Sequence, residues 1–97
     1  MRNQVFKIIE STVTEMNEEL DYDSLREVND DTPLFGGEDG VDSLSLVSII
    51  ISIESGIFNE LDKSVTLADE KAMSMHNSPY RTVGALLDFT MQRLEEA

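Results

Sequence analysis

Cysteine is absent from the 97 residues, so the chain has no disulfide, no thiolate metal ligand and no thiol of its own. Any thioester it handles takes its sulfur from a cofactor. Basic residues are scarce: 7 Lys plus Arg stand against 20 Asp plus Glu, for a formal charge of -13. Such a field repels phosphate backbones and anionic lipid surfaces, which argues against nucleic-acid and membrane partners. It draws in basic protein surfaces, within a screening length of about 8 Å at physiological salt. No apolar run approaches the roughly 20 residues of a membrane span, and the N-terminal MRNQVFKIIESTV turns polar too early for a secretory signal. The expectation is a cytoplasmic, monomeric protein. Its length predicts one domain over residues 1–97, with room for a modest core but not for a deep substrate cavity as well. That weighs against a free-standing enzyme.

Helical spacing recurs in four segments. Val5, Ile9, Val13, Met16 and Leu20 form a stripe widened by Ile8, with Asn3 as a candidate cap. Residues 21–42 are rich in Asp, Asn, Gly and Pro33 and predict a long loop, which Leu25, Val28, Leu34 and Phe35 can pin to the core. A second helix opens at Asp42-Ser43. Leu44, Leu46, Val47, Ile49, Ile50, Ile51, Ile53, Ile57 and Phe58 cover well over half of its circumference, so it is expected to lie deep between neighbours. Its remaining face is Ser45, Ser48, Ser52 and Ser55. Thr66 with Asp69 resembles a capping box for a short third helix ending near Met75, before Asn77 and Pro79. Thr82 can cap a last helix with a stripe of Val83, Leu86, Leu87, Thr90, Met91 and Leu94. The predicted fold class is all-α, a four-helix bundle with a long first loop and a short third helix.

The chemistry concentrates in Thr32-Pro33-Leu34-Phe35 and Gly40-Val41-Asp42-Ser43-Leu44. Glycine permits a sharp entry to the helix. Asp42 is a strong N-cap, its charge suited to the positive end of the dipole. Ser43 then stands at the first helical position, where an attached phosphodiester is electrostatically favoured, and Leu44 is expected to root the site in the core. Nothing nearby activates Ser43 as a nucleophile. The single histidine, His76, is remote and in a predicted loop, and no Gly-x-Ser-x-Gly elbow is present. No catalytic residue is therefore assigned, and Ser43 is expected to be acted upon by another enzyme. Glu38, Asp39 and Asp42 lack EF-hand spacing and are read as loop charge, so no metal site is assigned either.

At these residues the chain resembles the acyl carrier protein family, a four-helix bundle with an Asp-Ser-Leu motif opening its second helix. Here the motif is Asp42-Ser43-Leu44 after Gly40-Val41, and Thr82-Val83-Gly84 is similar to the family's entry to the last helix. The resemblance covers essentially the whole chain. It implies that a phosphopantetheinyl transferase moves 4'-phosphopantetheine covalently from coenzyme A onto Ser43, with Asp42 helping to hold the transferase's magnesium. It implies that the arm carries acyl intermediates as thioesters among acyl-loading and acyl-using enzymes with basic docking surfaces, in fatty-acid, lipid or polyketide-type biosynthesis. The resemblance further implies that Leu44, Leu46, Val47 and Ile51 flank the arm, the last two by weaker analogy.

Two departures qualify the resemblance. Fatty-acid carriers show several acids along the second helix, whereas the matching face here is Ser45, Ser48, Ser52 and Ser55, with only Glu54 and Glu60 acidic. Rim charges set encounter and partner choice, so a specialised carrier is expected rather than a housekeeping one. The stretch from Gly56 to Arg81 is also longer than usual, and its Met73, Met75 and Tyr80 either line a cargo channel or extend the core. The alternatives are an aminoacyl or peptidyl carrier, and a cofactor-free acidic helical adaptor that binds a basic protein. A small hydrolase using Ser43 lacks a credible base.

Overall fold

In the computed structural model, residues 2–35, 40–67 and 80–96 are described, without the side chains of Ser24 and Ser43. Three α-helices stand among them: α1, Arg2–Leu20; α2, Ser43–Leu61; and α3, Val83–Glu96. A 3-10 turn, Asp23–Leu25, interrupts the long connection between α1 and α2. The all-α class holds. The short third helix expected from Thr66 to Met75 lies almost entirely outside the described residues, as do Glu38, Asp39, Met73, Met75 and His76. Thr66 and Leu67 themselves are not helical.

Helix α1 packs on both α2 and α3. Its stripe is the expected one, with Val5, Ile8, Ile9 and Val13 buried and Met16 and Leu20 packed at the edge. Asn3 is not a cap, because the helix already includes Arg2 and runs through it. The other end closes on Asn17. Its carboxamide donates to the Tyr22 carbonyl at 3.1 Å and accepts from the Tyr22 N–H at 2.7 Å, while Asp21 takes the left-handed conformation at φ 56. Where α1 meets α2, a Cβ added at Gly56 would lie 3.0 Å from the Ile8 Cγ2 methyl, a close approach to a side chain rather than to backbone.

Helix α2 gives the core Leu46, Ile49, Ile50, Ile53 and Ile57, each without solvent contact. It does not lie buried on all sides, however. Leu44 is 81% exposed, Ile51 51% and Phe58 55%. Nine residues at 100° each set Leu44 half a turn away from Ile53, on the opposite face. Leu44 therefore does not root the site in the core. By length and composition Leu44–Leu61 is apolar enough to cross a membrane, contrary to the expectation that no segment would be; one such helix is weak evidence, and here its inward face builds the bundle core.

The expectation that Leu25 and Leu34 pin the long loop holds, since both are buried. The loop's backbone is also tied to the start of α3. Leu34 N–H donates to the Arg81 carbonyl at 2.8 Å and Phe35 N–H to the Tyr80 carbonyl at 3.0 Å. In return Val83 N–H donates to Thr32 O at 2.9 Å and Gly84 N–H to Asp30 O at 2.8 Å. The Thr82 hydroxyl accepts from Ala85 N–H at 3.0 Å, the expected cap, and Leu86 N–H reaches Thr82 O. Val83, Gly84 and Ala85, three of the four N–H groups that a helix start leaves without intrahelical partners, are thus satisfied. Thr32 braces the acceptor side of this junction: its hydroxyl donates to Glu27 O at 3.0 Å and accepts from Asn29 N–H at 2.8 Å.

A second tie joins the C-terminal half of α2 to Tyr80. Glu54 accepts the Leu67 N–H at 2.5 Å, and the buried Tyr80 hydroxyl donates to the Leu67 carbonyl. Tyr80 is therefore core; its ring meets Phe89 edge-on, with centroids 5.9 Å apart at 86°. Tyr80→Phe keeps the ring but leaves a buried carbonyl without this donor, at a cost of about 1–3 kcal/mol. Urea titration should show a lower midpoint at unchanged slope. An unchanged midpoint would mean that the hydroxyl contributes nothing.

Candidate functional site

The start of α2 is where the chain's chemistry-bearing residues meet its geometry. Val41 is buried, and its N–H donates to the Leu34 carbonyl at 2.6 Å. Because Leu34 is itself hydrogen-bonded to Arg81, the chain enters α2 from a point fixed against α3. Phe35 and Val41 form an isolated parallel bridge.

Asp42 follows in extended conformation, with φ -73 and ψ 168, as the N-cap. Its Oδ1 accepts the Ser45 N–H at 2.7 Å, and its carbonyl begins the helical ladder by accepting Leu46 N–H at 2.9 Å. The backbone N–H of Ser45 and then its hydroxyl hold the Asp42 carboxyl below the ordinary carboxylate range, against an opposing desolvation and with a smaller contribution from the N–H of Leu44. A carboxylate whose folded pKa is depressed stabilises the fold above its unfolded pKa, and that contribution disappears as pH falls through the folded value. The cap is accordingly fully charged at neutral pH.

Ser43 is the first residue of α2, as expected. Its two neighbours, Asp42 and Leu44, are both exposed, so the surface on either side of its backbone is open to a large partner. The position is also stiff. The helix that Ser43 opens is anchored one turn later by Leu46 and then by Ile49 and Ile50, all fully buried.

The serine face is largely where the sequence puts it. Ser48, Ser52 and Ser55 are exposed, and Ser45 is half-buried. Beside it runs a feature that the sequence conceals, the exposed stripe of Leu44, Ile51 and Phe58, with half-buried Val47 along its edge. An α-helix drifts only about 20° per seven residues, so these three residues lie in nearly one line. Glu54 is not the free docking charge that composition implies, since it is bonded to the Leu67 backbone. No group of three or more His, Asp or Glu suited to a metal ion occurs among the described residues.

Of the predicted site residues, the structure brings Asp42, Ser43 and Leu44 together at one helix end and sends Leu46 and Ile51 to opposite faces of that helix. No protein-family model, curated protein or solved structure matches the chain.

Proposed function

We propose that the chain is a carrier protein whose Ser43 receives a 4'-phosphopantetheine arm from coenzyme A and holds acyl intermediates on it as thioesters. The chain itself catalyses nothing. One observation carries this assignment: Ser43 follows an Asp42 cap at the first turn of a core-anchored helix, between two exposed neighbours. A transferase needs a hydroxyl on a rigid, approachable element, and the helix entrance supplies the rigidity and the open flanks.

The residues fit the group. The arm is attached through a phosphodiester, and the N-terminus of α2 is the end of a helix that favours negative charge. Asp42, ionised and fully exposed, stands one residue away to help hold the magnesium that the transferase brings. The arm supplies a thiol that this cysteine-free chain lacks. What the protein itself contributes is placement: α2 fixes the attachment point, and the loop tied to α3 fixes α2. The fourth helix of the carrier fold belongs to the same proposal, as a short helix after the non-helical Thr66 and Leu67 that ends near Met75.

The serine face and the scarcity of acids along α2 favour a specialised carrier with its own set of partner enzymes, working in the cytoplasm as a monomer. The cofactor-free adaptor is favoured by the exposed apolar stripe, which suits protein contact whether or not an arm is present.

The two separate cleanly. Incubation with coenzyme A and a broad-specificity phosphopantetheinyl transferase is expected to raise the intact mass by one phosphopantetheine, and Ser43→Ala is expected to remove the increment entirely. No increment in the wild-type chain would leave the adaptor.

A further inference from the structure

Leu67 is gripped by side chains at both of its main-chain groups. Glu54 of α2 accepts its N–H at 2.5 Å, and the Tyr80 hydroxyl donates to its carbonyl. Its own side chain is fully buried. The stretch that leads to it from α2 is lightly held by comparison. Asp62 ends the helix in the left-handed conformation at φ 55, Lys63, Ser64 and Thr66 are exposed, and Val65 is half-buried. Among the described residues, no backbone–backbone hydrogen bond secures 63–67. Segments fastened by so few buried contacts stand at the low end of a protein's range of local stability.

Tyr80 belongs to a second junction as well. Its carbonyl accepts the Phe35 N–H at 3.0 Å, and the next carbonyl, that of Arg81, accepts the Leu34 N–H at 2.8 Å. Phe35 is bridged to Val41, and Leu34 accepts the Val41 N–H at 2.6 Å. Val41 directly precedes the Asp42 cap. Main-chain bonds thus connect the residue that grips Leu67 to the point where α2 begins. The Tyr80 ring is fully buried and set edge-on against Phe89. Interiors are close-packed, so a ring that loses the neighbour at its hydroxyl end loses its seat, and the backbone of the same residue shifts with it.

We infer that Tyr80 joins the two junctions into one opening unit. Asp62–Leu67 and the loop residues Phe35 and Val41 come away from the core together, in a single step short of global unfolding. The unit has two positions. Closed, it fixes the entrance of α2 against the start of α3. Open, it leaves the helix seated through Leu46, Ile49 and Ile50 but unfastens its first residues. Glu54 lies about 18 Å along α2 from Asp42, so the far half of the helix controls how firmly its beginning is held. The coupling rests on these bonds alone and stands whether or not Ser43 carries an arm.

Native-state hydrogen exchange in low urea, resolved by residue with NMR, reads the unit directly. In the wild type the amides of Leu67, Phe35 and Val41 are expected to share one opening free energy and one urea dependence, both smaller than those of Ile9 and Val13 in α1, which report global unfolding. Tyr80→Phe removes one bond to Leu67 and Glu54→Ala the other. Each is expected to speed exchange at all three amides by the same factor, on the order of tenfold. Faster exchange at Phe35 and Val41 in Glu54→Ala is the decisive sign, because the altered residue lies on the far half of α2. A change confined to Leu67 would overturn the inference, and so would separate opening energies for Leu67 and the loop pair in the wild type. Exchange of all three amides only through global unfolding would overturn it equally. None of these outcomes touches the assignment of Ser43, which stands or falls on its own mass increment.

Discussion

Gly84→Ala is expected to destabilise the fold by about 2–4 kcal/mol, although alanine is the better helix former. A Cβ at residue 84 would stand 2.8 Å from the Asp30 carbonyl oxygen and 3.2 Å from the Asp30 Cβ. That carbonyl is backbone and cannot rotate away as a side chain would. It is also the acceptor for the Gly84 N–H at 2.8 Å, so relieving the clash breaks the hydrogen bond that ties the long loop to α3. Overpacking typically costs about 1–3 kcal/mol and a stranded polar group a similar amount, against a gain of about 1 kcal/mol in helix propensity. The clash wins. For a domain of this size the thermal midpoint should fall by roughly 10–20 °C. Gly56→Ala provides the contrast. Its Cβ would meet a terminal methyl of Ile8 at 3.0 Å, which can yield by a few tenths of an ångström, so the same substitution should be close to neutral. Equal melting temperatures for the two variants would show that the loop is not fastened at Gly84 as described.

The second large effect is at Asp42, where two roles coincide and can be separated. Asparagine caps a helix about as well as aspartate, so Asp42→Asn should retain the Ser45 N–H contact and change stability by no more than a few tenths of a kcal/mol. It removes the charge beside Ser43. If that charge helps to hold the transferase's magnesium, loading should slow by about 10- to 100-fold, the usual consequence of disturbing a metal's immediate surroundings. Asp42→Ala should lose the cap as well, at about 0.5–2 kcal/mol. A wild-type loading rate in Asp42→Asn would confine the residue to capping. A comparable loss of stability in Asp42→Asn and Asp42→Ala would mean that the carboxylate charge, not the hydrogen bond, maintains the helix start.

Much of the architecture is written locally. The stripes of α1 and α3 are read directly from three- and four-residue spacings, and the caps Asp42 and Thr82 from residue type and position, because each depends on neighbours within a turn or so. Helix α2 shows where periodicity fails. Its apolar residues occur on two opposite faces, so composition cannot tell which face enters the core. Packing against α1 selects Leu46, Ile49, Ile50, Ile53 and Ile57, and leaves Leu44, Ile51 and Phe58 outside.

Long-range backbone pairing is equally silent in the sequence. The bonds from Asp30 and Thr32 to the start of α3 use main-chain carbonyls, which any residue supplies. The one hint is the glycine at position 84, where the approach of Asp30 leaves no room for a side chain. Glu54 was legible as an acid on α2 but not as the partner of Leu67, thirteen residues away. The site itself was visible as a motif, Asp42-Ser43-Leu44, yet the outward direction of Leu44 follows only from the placement of the helix.

The central claim concerns one atom, the Ser43 hydroxyl oxygen. The most direct measurement is fragmentation mass spectrometry on peptides from the chain after exposure to coenzyme A and a transferase. The expected result is a single phosphopantetheine located on Ser43, with Ser45 and Ser48 bare. An increment on either of those serines, or peptides from residues 41–61 recovered wholly unmodified under conditions that load a control carrier, would contradict it.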